Sequence, residues 1–290
     1  MSEAAENLDS QNLETLLQGI KIPPQPQIMV DIQMETASPD FDLDNVAKLI
    51  SRDIGLSGWV LKAVNSSFFG LRNKITSITQ AINLLGINSI INIVNAVSIR
   101  TTLSNDKIEQ LNGFWDNAMD VASASVAISK KLTVVSPDEA YSVGLFHNCG
   151  IPLMCMRFEN YFETLEQAYA QSRERITEIE NNAFSTNHAV LGYYVAKSWK
   201  LPAYLCETIA EHHKAEDIFA ENRQTDSVKK NLLAVLKIAS HLCGSFRALG
   251  QQSVDHEFEH IKPVLLKYLG ITDLDLDDLR DDLHDLGLIH

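Results

Sequence analysis

The chain has 290 residues, 45% of them hydrophobic, with 13 glycines and 8 prolines, which is ample for one or two domains with a buried core and too apolar for disorder. Its formal charge of −14 argues against nucleic-acid binding, where Lys and Arg must neutralise phosphates, and against docking on an anionic membrane surface. Cys149, Cys155, Cys206 and Cys243 show no C-x-x-C spacing and read as reduced core residues. The acidic N-terminus is no signal peptide and no apolar run spans a bilayer, so the expected chain is soluble and cytoplasmic.

In chain order, Leu13, Leu16 and Leu17 suggest a loosely attached helix. Ile22-Pro23-Pro24-Gln25-Pro26 is then a proline-stiffened segment that no helix can cross. A rigid lead into the domain is the preferred reading of that segment, ahead of an SH3-type ligand. From Leu43 the pattern is helical. Asp42 caps a helix with Leu43, Val46, Ala47 and Ile50 inward. Asp53 caps another carrying Leu56, Val60, Leu61 and Val64, stopped at Gly70. Ser77 and Gln80 form a capping box before Ile78, Ala81, Ile82 and Leu85, closed by Gly86. Asn88 opens a longer helix with Ile90, Ile91, Val94 and Val97 inward.

Leu103–Gly113 is more polar and reads as a connection, with a new helix from Phe114 through Val126. Ser136, Pro137 and Glu139 then supply an N-cap, a first-turn proline and a capping box. Ala140, Val143, Gly144 and His147 share one face of the helix they open. Further helices are predicted over Phe162–Ser172, Ile176–Phe184, Asn187–Trp199, from Leu201-Pro202 to His213, and over the apolar run Leu232–Leu242. Asp273–Asp285 carries seven aspartates around Leu276, Leu279, Leu283 and Leu286, a solvated helix with a narrow apolar stripe. No strand alternation and no repeat is visible. The fold class is all-α, a multi-helical array.

Several stretches carry a family resemblance. Ile50-Ser51-Arg52-Asp53, Ala63-Val64-Asn65-Ser66-Ser67-Phe68-Phe69-Gly70 and Ser77-Ile78-Thr79-Gln80-Ala81-Ile82-Asn83-Leu84-Leu85-Gly86 resemble successive signatures of the HDOD domain. So do Pro23-Pro24, Phe114-Trp115, His147-Asn148, Asn187-His188 with Gly192, and Trp199-x-Leu201-Pro202. The resemblance covers roughly residues 20–245. It implies an N-terminal extension (1–19), an N-terminal helical lobe (20–105), a degenerate HD-type lobe (106–245) and an acidic helical extension (246–290). It further implies a bacterial regulatory module related to HD phosphohydrolases but generally lacking their metal centre.

An HD hydrolase needs imidazoles and carboxylates converging on one or two cations that polarise the phosphoryl oxygen and activate water. Two dications ~3.5–4 Å apart repel by roughly 18 kcal/mol at an effective dielectric of about 20, and a bridging carboxylate must offset this. By the resemblance, Asn117 stands where hydrolases have a first histidine, Asn148 where they have the bridging aspartate, and Ser240, beside His241, where they have the last aspartate. His147, His188, His212 and His213 remain, a set that suits one soft cation such as zinc or nickel. The alternative is that each is hydrogen-bonded in a relict pocket.

No phosphate loop, dinucleotide fingerprint or nucleophile elbow is present, and Cys149 reads as core rather than nucleophile. The expectation is a non-catalytic signal-transduction module with no cofactor, binding a protein partner or a small anionic ligand at the relict pocket. Asn65, Ser66, Phe68 and Phe69 form a second possible recognition surface. The rival is a phosphohydrolase of a nucleotide or cyclic nucleotide with a reduced metal shell.

Overall fold

A computed structural model describes residues 17–65, 74–103, 110–220 and 227–289. Among these residues there are helices and no strands. The first helices are α1 (Gln27–Thr36), α2 (Leu43–Ser51), α3 (Ile54–Val64), α4 (Ile78–Leu85) and α5 (Ile87–Leu103). Asp42 caps α2 by accepting from the Asp44 N–H, and Asp53 caps α3 by accepting from the Leu56 N–H. At α4 the expected capping box is half formed. Ser77 accepts from the Gln80 N–H, but the Gln80 carbonyl turns to the N–H and hydroxyl of Thr76 instead. Gly86, at φ +81°, ends α4 and leads directly into α5, which starts one residue earlier than Asn88. The lead-in segment is fastened at Pro23, whose carbonyl accepts from the Trp199 indole at 3.1 Å. The first sixteen residues and Gly70 lie outside the described residues.

The rest of the chain is built on α6 (Gln110–Leu132) and α7 (Pro137–Phe146). The helix expected from Phe114 thus begins four residues earlier, because Leu111 already faces the core. Ser136 and Glu139 make the full capping box at α7. Small residues let α6 and α7 touch closely: a Cβ at Gly144 would lie 2.7 Å from the Ala122 Cα. The pair forms a wall between two cores. Ala122, Val126, Tyr141 and Leu145 face the core shared with α1–α5, while Val121, Ala124, Ile128, Ala140 and Val143 face the other.

The chain continues through α8 (Ile151–Arg157), α9 (Tyr161–Tyr169), α10 (Ile176–Phe184), α11 (His188–Ser198) and α12 (Ala203–Glu211), then a 3-10 turn (His212–Lys214) and α13 (Ala215–Ala220). Next come α14 (Ser227–Leu242), the short α15 (Ser245–Ala248), α16 (His256–Leu269) and α17 (Asp273–Asp285). The buried α14 packs on α6, α7, α12 and α16, and α17 returns onto α6. In α17, Leu276, Leu279 and Leu283 are buried, whereas Leu286 is more than one-third exposed. Each buried leucine contributes about 1.5–3 kcal/mol, enough to seat a helix whose aspartates stay in water.

Candidate functional site

Four histidines meet where α7, α11 and the turn after α12 converge. His147 is the C-cap of α7, its ring Nδ1 2.7 Å from the Gly144 carbonyl. His188 opens α11, whose cap is Asn187 accepting from the Val190 N–H. His212 and His213 form the 3-10 turn, with His212 Nδ1 2.7 Å from the Ile209 carbonyl. His188 Nδ1 lies 2.8 Å from both oxygens of Glu180, and His213 Nδ1 lies 2.9 Å from Glu257 Oε2. All four Nδ1 atoms thus face oxygen acceptors. That places a proton on each Nδ1, and in the neutral ring it leaves Nε2 with a lone pair.

Three of those lone pairs converge. His188 Nε2 lies 3.3 Å from His212 Nε2 and 3.2 Å from His213 Nε2. Neutral rings in this tautomer set lone pair against lone pair, and a cation among them turns the repulsion into attraction. Nitrogens bound tetrahedrally at about 2.0–2.1 Å lie roughly 3.3–3.4 Å apart, close to the two spacings found here. A proton suits the site poorly. Burial pushes His147 down to about 3, and pushes His212 and His213 well below the ordinary imidazole range, with neighbouring histidines and Lys237 adding to the shift. The cluster His188, His212 and His213 therefore fits one soft divalent cation.

It does not fit two. Glu180 is fully buried, with its oxygens engaged by His188 and by the Tyr161 hydroxyl. Glu257 is engaged by His213 and, at 2.6 Å, by Lys237 Nζ. Both carboxylates thus sit behind imidazoles, on the Nδ1 side. Asn148 lines a small chamber beside His147, His212 and His213, together with Ser240. Asn148 Oδ1 and His147 Nε2 are buried there without hydrogen-bond partners. An amide oxygen supplies no charge to offset a second dication.

Asn117 is not in this cluster. Its amide accepts from the Ser245 hydroxyl at 2.9 Å and donates to the Cys243 carbonyl at 3.5 Å, joining α6 to α15. His241 also stands apart, paired with Asp255 at 3.0 Å and stacked on Phe258 with ring centroids 3.8 Å apart. Of the possible recognition loop, Asn65 is described, and its amide bonds Leu61 and Ile75. Ser66, Phe68 and Phe69 lie outside the described residues.

Sequence reasoning missed Glu180, Glu257, Lys237 and Tyr161. Two of them carry a signal in the pattern. Glu180 lies between Ile176 and Phe184 on the buried face of α10, and Lys237 interrupts the apolar run of α14. A charge on an apolar face asks for a partner.

The chamber is about 20 Å³ and is lined by Tyr169, Phe246 and Phe258 among others. Outside it lies a cavity of about 260 Å³ that shares His213, Glu257, Asp255 and Tyr169 with the chamber and is rimmed by Arg173, Arg175, Glu174 and Glu216. Arg175 is already paired with Asp217 at 2.6 Å.

Comparison with known proteins agrees with this architecture. A protein named "Putative phosphohydrolase" from Shewanella amazonensis is 20% identical, with a TM-score of 0.67 over 94% of this chain and 96% of that one. One named "Putative signal transduction protein" from Marinobacter aquaeolei is 16% identical, with a TM-score of 0.65 over 94% of this chain and 61% of that one. Both share the fold. An uncharacterized protein of Treponema pallidum is 27% identical over 199 residues, 66% of this chain, and the match spans only 37% of that relative's length. No helix among the described residues is long and apolar enough to cross a membrane. Residues 22–215 match the HDOD domain, and the chain belongs to the HDOD family.

Proposed function

We propose that this chain is a regulatory module without hydrolytic turnover, which signals by binding a protein partner or a small anionic ligand. Its imidazole cluster serves as a single-cation site within the scaffold. One observation carries this reading. The chamber facing the imidazoles is about 20 Å³, room for about one water molecule, and the carboxylates that line it, Glu257 and Asp255, are already paired with His213, Lys237 and His241. A phosphate ester does not fit in a space of that size beside His212 and His213. A cation there would supply Lewis acidity, yet a substrate oxygen must reach it for that to matter.

A phosphohydrolase reading is favoured by the convergence of three Nε2 atoms, and assay separates the two. Full-length protein loaded with zinc, manganese or iron is expected to leave bis(p-nitrophenyl) phosphate and cyclic nucleotides unhydrolysed. Turnover that EDTA abolishes and His188→Ala removes would overturn the non-catalytic reading. A folded His147→Ala protein that signals normally in its host would remove the pocket from the signalling role.

A further inference from the structure

The segment that follows the HDOD match completes the imidazole cluster. The match ends at residue 215, while Lys237 on α14 and Glu257 in the first turn of α16 both reach the site. That first turn is firmly held. Asp255 caps it by accepting from the Phe258 N–H at 3.0 Å, and its other oxygen pairs with His241, whose ring lies flat on Phe258. The Glu257 carboxylate is therefore presented to His213 by a fixed helix end. Glu180, its counterpart at His188, is fully buried, but the Glu257 side chain is 28% exposed toward the outer cavity.

We infer that Glu257 is the positioning residue that sets the affinity of the His188, His212 and His213 cluster for a divalent cation, and that through it α16 is coupled to the occupancy of the site. This rests on the single-cation reading above. A carboxylate accepting from Nδ1 fixes the tautomer, orients the ring and raises the basicity of Nε2, and loss of such a partner typically costs 10–100-fold in metal affinity. Here it also bears on charge. Glu180 and Glu257 against Lys237 leave one net negative charge in contact with the cluster, and removing Glu257 leaves none. Lys237 acts in the opposite sense, since its ammonium repels any cation on the imidazoles. Coupling of this kind is reciprocal, so the cation must in turn stabilise the seating of α16.

The test is zinc affinity of the full chain by competition with a chromophoric chelator, with the cobalt absorption spectrum as a second readout. Glu257→Gln is expected to weaken zinc about 10–100-fold, and Lys237→Met to tighten it. Because Glu257→Gln leaves the buried Lys237 ammonium without its carboxylate, the double variant K237M/E257Q is the safer comparison, and it should bind more weakly than K237M by the same factor. Zinc should slow amide exchange across residues 256–269. If E257Q and the double variant bind as tightly as their parents while His188→Ala abolishes binding, Glu257 has no such role and the cation reading survives. If the wild-type chain binds zinc no better than His188→Ala, both fall. Unchanged exchange in α16 on zinc binding overturns the coupling.

Discussion

Gly150 rests on the carbonyl of His188: a Cβ at position 150 would lie 2.0 Å from that oxygen and 2.8 Å from the Gly192 nitrogen. The turn after His147 and the start of α11 are thereby brought together at backbone contact, which lets the His147 and His188 rings share one site. Nothing in that contact can yield, because its atoms are main chain. Gly150→Ala is therefore expected to cost about 3 kcal/mol or more by overpacking. Gly58, inside α3, is the opposite case, since a Cβ added there would meet nothing within 4 Å. Gly58→Ala should stabilise by about 0.5–1 kcal/mol through helix propensity alone. Urea unfolding of the two variants checks both signs, and a tolerated Gly150→Ala would refute the close contact.

Restoring a carboxylate at Asn148 tests what the chamber lacks. Asn148 is buried with its Oδ1 unpartnered, so Asn148→Asp places a charge in a small chamber where Lys237 is already paired with Glu257. Its expected cost is about 3 kcal/mol at neutral pH in the presence of a chelator. Zinc or manganese should return part of that stability, because an anionic ligand then faces the imidazoles. Equal denaturation midpoints with metal and with chelator would show that position 148 does not address the cation site.

The buried imidazoles also set a pH dependence. Burial holds His147 at about 3, and holds His212 and His213 well below the ordinary range, whereas in the unfolded chain each titrates near 6.5. Below that pH the unfolded state binds protons that the folded state does not. Stability therefore falls as the solution is acidified, and each such histidine contributes about 1.4 kcal/mol per pH unit through the interval between its two pKa values. Thermal midpoints should decline from pH 7 toward pH 5, and His147→Asn should decline less steeply. Parallel curves for wild type and variant would mean that His147 is not held neutral.

The helices were readable because their signals are local. Asp42, Asp53, Ser136 and Asn187 each cap the helix that they precede, and a cap is a contact over two or three residues. The four histidines were also found in the sequence, through the resemblance that aligns them. What escaped was their orientation. The oxygens that turn the Nδ1 atoms outward come partly from Glu180, eight residues before His188, and from Glu257, forty-four after His213. No periodicity reports a contact of that second kind. Asn117 and His241 show the converse: the resemblance points to Asn117, and His241 lies beside the aligned Ser240, but Ser245 and Asp255 claim their side chains.

Asn65 offers a test of the segment first read as a recognition surface. Its side-chain amide donates to the carbonyls of Leu61 and Ile75 at 2.8 Å each, and its oxygen accepts from the Ile75 N–H at 2.7 Å. One side chain thus ties the end of α3 to the stretch of chain that leads into α4, ten residues on. Truncation to alanine would leave both main-chain groups of Ile75 without these partners, at about 1–3 kcal/mol for a partly buried donor or acceptor. Asn65→Asp keeps the acceptor and loses both donors, so it should fall between wild type and Asn65→Ala. The ordering wild type, Asn65→Asp, Asn65→Ala in urea midpoint is the expected result. Three equal midpoints would mean that the amide is not engaged in the fold, and would return Asn65 to the surface that partners could read.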